Sequence, residues 1–250
     1  MQAANDKQVL AVWGSPGAGK KTIAVKIAKV LEAKHQSVAL ILCDDEIPGI
    51  PILLPNGKQQ RLSLGELLSQ TRISQASIMR YFIPFGSSNI LLLGYGSDEN
   101  EKTYVDYSEA TAKNFFVALS RLVDVIIISC SSHLNSNPLS IIALEAADIT
   151  LRVVNASLHS ATYIRSQKEY FNDSDRFHYD KQLVVLNNVI PGQDENAYSN
   201  VLGKASYVLP HCPSVAEQYE SGKLLGSLFG REAKQFEPVI KEIVKDVFLQ

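Results

Sequence analysis

Residues 14–22 read GSPGAGKKT, with a short apolar run, Val9–Trp13, directly before them and a helix-period segment directly after. A glycine-rich turn between a buried strand and an amphipathic helix leaves few folds open, because both flanking elements are needed to hold it. Gly14, Gly17 and Gly19 free the backbone to curl so that N–H groups point inward around an anion, and the start of the helix adds its partial positive charge. Ser15, Pro16 and Ala18 complete the turn, and Lys20 is placed to reach the outer phosphates of a nucleotide. The spacing of Gly14, Gly19 and Lys20, with a strand before and a helix after, predicts a phosphate-binding P-loop rather than an incidental turn. One position breaks the pattern. After Lys20 a Ser or Thr hydroxyl should serve Mg2+, and the chain has Lys21. Thr22 stands one residue too late to take that place by spacing, although its hydroxyl could bond a phosphate oxygen.

Beyond the loop, apolar runs alternate with helix-period segments. Strands are predicted at Val9–Trp13, Val38–Leu42, Ile90–Leu93, Val125–Ile128, Ile149–Val154, Leu183–Leu186 and Tyr207–Leu209. Several are apolar throughout, as parallel strands covered on both faces must be. Helices are predicted at Lys20–Lys34, Asp106–Leu122, Pro138–Ala146, Ser157–Glu169 and Ser214–Ser221, with Ser157 and Ser214 as N-caps. The alternation predicts an α/β fold, a doubly wound, mostly parallel sheet flanked by helices. Without a repeat, low-complexity tract or linker, residues 1–250 are expected to form one nucleotide-binding domain. The least regular stretch, Asp44–Gln60, follows the second strand, where a functional loop is often placed. From Phe236 to Phe248 an apolar stripe recurs at helical spacing; its balanced charges favour a helix covering the sheet over one lying on anionic lipid.

Composition sets the remaining bounds. Lys and Arg number 24 against 26 Asp and Glu, a net charge of −2, so nothing indicates nucleic acid as a partner. No apolar run approaches the ~20 residues needed to cross a bilayer, and MQAANDKQ carries no apolar leader, so a cytoplasmic location is expected. Cys43, Cys130 and Cys212 suit reduced thiols, and no metal-ligand spacing joins them to His133 or His211. Ser129, Ser131 and His133 lack a nucleophile elbow and read as loop residues on the phosphate side. Tyr170–Tyr179 reads as a loop before the sixth strand.

With the loop read, the chain resembles the ParA/MinD family of P-loop ATPases over nearly its whole length. Asp44, twenty-four residues after Lys20 at the end of ALILCDD, matches the family's water-orienting aspartate, and EIPGIPILLP resembles its switch region. RLVDVIIIS resembles the strand that carries the magnesium-directing aspartate, and NILLLGYG the strand preceding it. LVVLNNV resembles the strand whose terminal Asn, here Asn187, approaches the adenine, and YVLPHCP, with Pro210, the base-contacting loop. The resemblance implies ATP or ADP as ligand, with Asp44 and Lys20 in the catalytic roles and Gly14 to Thr22, Asn187 and Pro210 around the nucleotide.

Three departures qualify that implication. The family's extra lysine, which reaches across a dimer, falls at Ser15; the loop hydroxyl is replaced by Lys21; the strand-end aspartate is replaced by Ser129. Mg2+ with one carboxylate, and Lys21 with Ser129, each contribute a local charge of about +1. Two readings of Lys21 follow: its ammonium replaces the metal as counter-charge to the phosphates, or the change is bland, with Lys21 pointing to solvent or the site simply decayed. No metal ligand is assigned. Turnover should be slow or absent, and nucleotide binding is better supported than catalysis. The functions that fit are an ATP-dependent switch that positions a protein partner or assembly, or a non-hydrolysing nucleotide-binding scaffold. A homodimer is left open, though not one built on a lysine at position 15. A small-molecule kinase would need an acceptor pocket and lid arginines that the sequence does not display.

Overall fold

The computed structural model describes residues 8–55, 62–85, 87–171, 176–177 and 181–248. In chain order they form β1 (Gln8–Gly14), α1 (Lys20–Glu32), β2 (Val38–Leu42), α2 (Gly49–Leu53), α3 (Leu64–Leu68), α4 (Gln75–Tyr81), β3 (Ile83–Pro84) and β4 (Ile90–Gly94). There follow α5 (Glu109–Leu119), β5 (Val125–Ser129), α6 (Pro138–Ala146), β6 (Ile149–Val154), α7 (Leu158–Ser166), β7 (Gln182–Val189), α8 (Ser199–Leu202), β8 (Tyr207–Pro210), α9 (Pro213–Glu220) and α10 (Ala233–Phe248).

The strands make one sheet in the order β3-β4-β2-β5-β1-β6-β7-β8. Every neighbouring pair is parallel except β3 with β4. Alternate residues of each strand feed opposite cores, as the pleat requires. Ala11, Trp13, Ile41 and Ile128 join the apolar layer under α3 to α8, while Leu10, Val12, Leu40 and Ile127 join the layer under α1, α2 and α10. The sheet is thus covered on both faces, which explains why its central strands read as unbroken apolar runs.

The expected helix at the chain's end is α10. Phe236, Ile240, Ile243 and Val244 are buried in the same layer as α1, and the Tyr207 hydroxyl donates to Asp246 at 2.8 Å. No described helix is long and apolar enough to cross a membrane.

Several expectations need correction. The cap of α9 is not Ser214: Pro213 opens the helix with its fixed φ, and Cys212 occupies the cap position. The buried Ser214 hydroxyl instead accepts from the Phe229 N–H at 3.1 Å. Ser157 does cap α7, accepting from the Ser160 N–H. That helix ends at Ser166, and Lys168–Phe171 forms a separate 3-10 turn. The α5 helix is shorter than expected because Ser108 takes the Thr111 N–H and fixes its start. The irregular stretch after β2 contains α2, and its residues 56–60 lie outside the described residues, as do 172–175 and 178–179 of the expected loop before β7. Cys43, Cys130 and Cys212 are free, buried thiols.

Candidate nucleotide-binding site

The loop from Gly14 to Gly19 is shaped by what surrounds it. Gly14 has φ 144°, and a Cβ on it would lie 1.8 Å from the Val153 carbonyl oxygen of β6, so no other residue fits there. Gly19 has φ 97°, and a Cβ on it would meet the Asn187 side chain at 2.5 Å. The Ser15 N–H donates to Val153 O at 3.2 Å and the Ala18 N–H to Ser15 O at 3.2 Å, closing the turn. Ile23 N–H to Gly19 O, at 3.0 Å, is the first bond of α1, so the N–H groups of Lys20, Lys21 and Thr22 precede the helical ladder.

Two ammonium groups stand at this positive helix end, where the macrodipole disfavours cations. No acidic residue occupies the first turn of α1. Lys20 is folded back onto its own loop, its Nζ donating to Gly14 O and Ser15 O at 3.2 Å each and to the Ser132 hydroxyl. Ser132 in turn donates to Gly14 O at 3.2 Å. Burial lowers the Lys20 pKa to about 8, against a smaller opposing pull from Asp44. The loop lysine is therefore desolvated and held by neutral oxygens.

Lys21 is not in solvent. Its side chain is 12% exposed, and Nζ lies 3.1 Å from Asp44 Oδ2 and 2.5 Å from Ile47 O. The other Asp44 oxygen accepts the Ile47 N–H at 2.9 Å. Both oxygens of the water-orienting candidate are thus engaged, one by the residue standing where the loop hydroxyl was expected. Of the two sequence readings of Lys21, extension into solvent is overturned.

The residues that would organise Mg2+ do not fit it. Lys21 places an ammonium where a hydroxyl ligand was expected. Ser129, 1% exposed at the end of β5, offers a neutral Oγ without a hydrogen-bond partner. An ammonium and a neutral hydroxyl make a poor donor set for a divalent cation.

A cleft of about 390 Å3 opens over the loop. Gly17, Gly19, Lys20, Lys21, Thr22 and Asp44 line one side; Asn187, Pro210, His211, Cys212, Val215 and Tyr219 line the other. The sequence candidates on both sides are therefore brought together. Gly14, Ser15, Pro16 and Ala18 do not line the cleft; they build the turn. Ser15 is 0% exposed, and its hydroxyl lies 2.7 Å from that of Ser160 on α7, so the position at which the family's extra lysine falls is turned inward. Ser132 and Ser160 were missed, because nothing in their local sequence marks a contact made across the fold; Ile47 lies in the stretch that resembles the switch region.

Asn187, which lines the cleft, also holds the loop. Its Nδ2 donates to Ala18 O at 2.7 Å, bracing the phosphate loop. Asn187→Ala is expected to weaken ATP and inorganic tripolyphosphate binding equally, by about fivefold, the worth of one hydrogen bond of ~1 kcal/mol. Parallel titrations check this; weakening confined to ATP would instead assign Asn187 to the base.

No family model matches the sequence, and no curated protein matches it. Solved structures do resemble its fold. A ParA family ATPase from Chlorobium tepidum TLS aligns over 96% of this chain and 98% of its own, at 16% identity and TM-score 0.74. The septum site-determining protein MinD from Pyrococcus horikoshii OT3, complexed with Mg-ADP, aligns over 95% and 96%, at 16% identity and TM-score 0.70. The MinC:MinD cell division protein complex of Aquifex aeolicus contains a chain aligned over 97% and 96%, at 14% identity and TM-score 0.68. The chain thus has the ParA/MinD fold, as its motifs implied.

Proposed function

We propose that this chain binds ATP or ADP in the cleft over Gly14 to Thr22 and acts as a nucleotide-dependent switch that positions a protein partner or assembly, with slow turnover or none. One observation carries the reading: a desolvated lysine, lowered to about pKa 8, stands at a helix N-terminus inside a glycine-rich turn. A polyphosphate supplies the charge that such a site lacks. The Mg-ADP bound to the Pyrococcus horikoshii protein of the same fold supports the choice of ligand. The MinC partner of the Aquifex aeolicus protein supports a protein as the thing positioned.

The chemistry follows from this chain's own groups. Lys20 turns from its loop carbonyls to the phosphates, and the N–H groups at the start of α1 complete the cradle. Lys21 supplies the counter-charge otherwise brought by a metal, to the extent that phosphate draws it from Asp44. Asp44 keeps lone pairs to orient a water beside its contacts with Lys21 and the Ile47 N–H, the same contacts that order the loop after β2. A cytoplasmic location suits this reading. A homodimer would have to form without a side chain reaching out from Ser15.

Chelation tests the metal-free site. ATP affinity should change by less than about threefold, under ~0.7 kcal/mol, when EDTA replaces Mg2+, as read by the fluorescence of Trp13, the chain's single tryptophan, one residue before the loop. A large loss on chelation would overturn it. Phosphate release at saturating ATP then separates a slow ATPase from a non-hydrolysing scaffold.

A further inference from the structure

Asp45, next to the switch aspartate, points to a second site. Its residue is 5% exposed, and it forms no ion pair among the described residues. Burial raises its pKa and the charges of Asp44 and Glu101 add to the rise, while its own backbone and the Asn137 side chain oppose it. A buried carboxylate without a cation is costly, and a fold keeps one most readily where a cation arrives from outside.

Asp45 lines a cleft of about 360 Å3, separate from the one over the phosphate loop. Tyr95, Tyr104 and Tyr107 form its walls, and Glu101 and Asp106 add acid. The cleft's one lysine, Lys102, pairs with Glu101 at 3.4 Å, with both side chains largely in solvent.

These walls are braced. A Cβ on Gly65 would lie 2.3 Å from the Tyr104 ring and 2.8 Å from that of Tyr95, so both rings lie close against α3. The Tyr104 hydroxyl donates to Glu99 at 2.6 Å and accepts from Ser63 at 3.1 Å, and the Tyr107 hydroxyl accepts the Leu139 N–H at 3.3 Å.

The described acids are not grouped to share a metal ion. Aromatic walls around carboxylates suit an organic cation, whose charge is attracted by ring faces and whose stem packs against them. Asn100, Asn135 and Ser136 on the same cleft offer amide and hydroxyl groups to a peptide backbone. We infer that this cleft takes an arginine or lysine side chain from a protein partner, with its cationic head at Asp45 and its stem among the three tyrosines.

The test needs no nucleotide, so its failure and that of the nucleotide reading are distinguishable. The 15N-labelled protein is titrated with acetyl-Gly-Arg-Gly-amide, with the same peptide carrying citrulline, and with spermidine. The arginine peptide should give saturable amide shifts at residues 45, 95 and 100–107, and the citrulline peptide none. Asp45→Asn should weaken binding by about tenfold or more, as expected on losing one member of a buried charge pair. Asp106→Asn, at an exposed position, should weaken binding too and covers the case in which Asp45→Asn fails to fold. Equal binding of the citrulline peptide, unchanged binding by both variants, or tighter binding of spermidine than of the arginine peptide would overturn the inference.

Discussion

Lys20→Ala is expected to lower ATP affinity by at least about 100-fold, or ~2.7 kcal/mol, while leaving a cooperatively folded protein. In the ligand-free chain the ammonium is held by Gly14 O, Ser15 O and Ser132. Those are neutral partners that any anion outcompetes. The same lysine sets the pH dependence. Its folded pKa of about 8 lies below the ordinary 10.5. Between these values the unfolded chain binds more protons than the folded one, so this residue's contribution makes stability rise with pH there; below pH 8 the cost of the desolvated charge is fully present. Binding runs the other way. A phosphate needs the ammonium, so wild-type affinity should fall by up to about tenfold per pH unit above pH 8. Lys26, likewise lowered to about 8 by burial, adds to the stability trend; it bonds Gln218 and Leu224 O and does not line the loop cleft. Calorimetric titrations at several pH values, with far-ultraviolet circular dichroism to confirm folding, check both statements. An affinity that stays flat through pH 9 would remove Lys20 from the phosphates.

The strand, loop and helix at the start of the chain were legible because each is encoded locally. Val9–Trp13 is an apolar run, Gly14 has no sterically allowed substitute beside Val153, and α1 shows its buried stripe. The α10 helix was legible for the same reason. The two-residue β3 and the short α2, α3 and α8 were not, since four or five residues hold too little periodicity to separate a helical turn from a loop. The seven-residue α4 is marked mainly by its Ser74–Ser77 capping box.

At the site, the sequence supplied the membership and the fold supplied the pairing. Asp44 could be placed by counting from Lys20, but β5 lies between β1 and β2 in the sheet. Nothing in the count shows that Lys21 closes the gap to Asp44. Ser15 could be seen to lack a lysine's reach; that its hydroxyl turns to Ser160 depends on α7, 145 residues away.

That unforeseen pair makes the sharpest test of the site. Asp44→Asn should tighten ATP binding by about tenfold, because it removes a negative charge facing the polyphosphate and releases Lys21. A water-orienting carboxylate acting alone would give a different result, lost turnover with unchanged affinity. Lys21→Met should weaken binding by a similar factor, since it removes the counter-charge and leaves Asp44 opposite the phosphates. The two effects should offset each other. In the double variant the neutral amide at position 44 no longer repels the ligand and no ammonium attracts it, so affinity should return toward wild type. Asp44→Asn keeps an oxygen able to accept the Ile47 N–H, so the loop's local turn survives and the measured change belongs to the charge. If both single variants bind ATP like wild type, Lys21 and Asp44 form a structural tie with no bearing on the phosphates. If they shift affinity in the stated opposite directions, the lysine that breaks the loop motif acts on the nucleotide through the aspartate it holds.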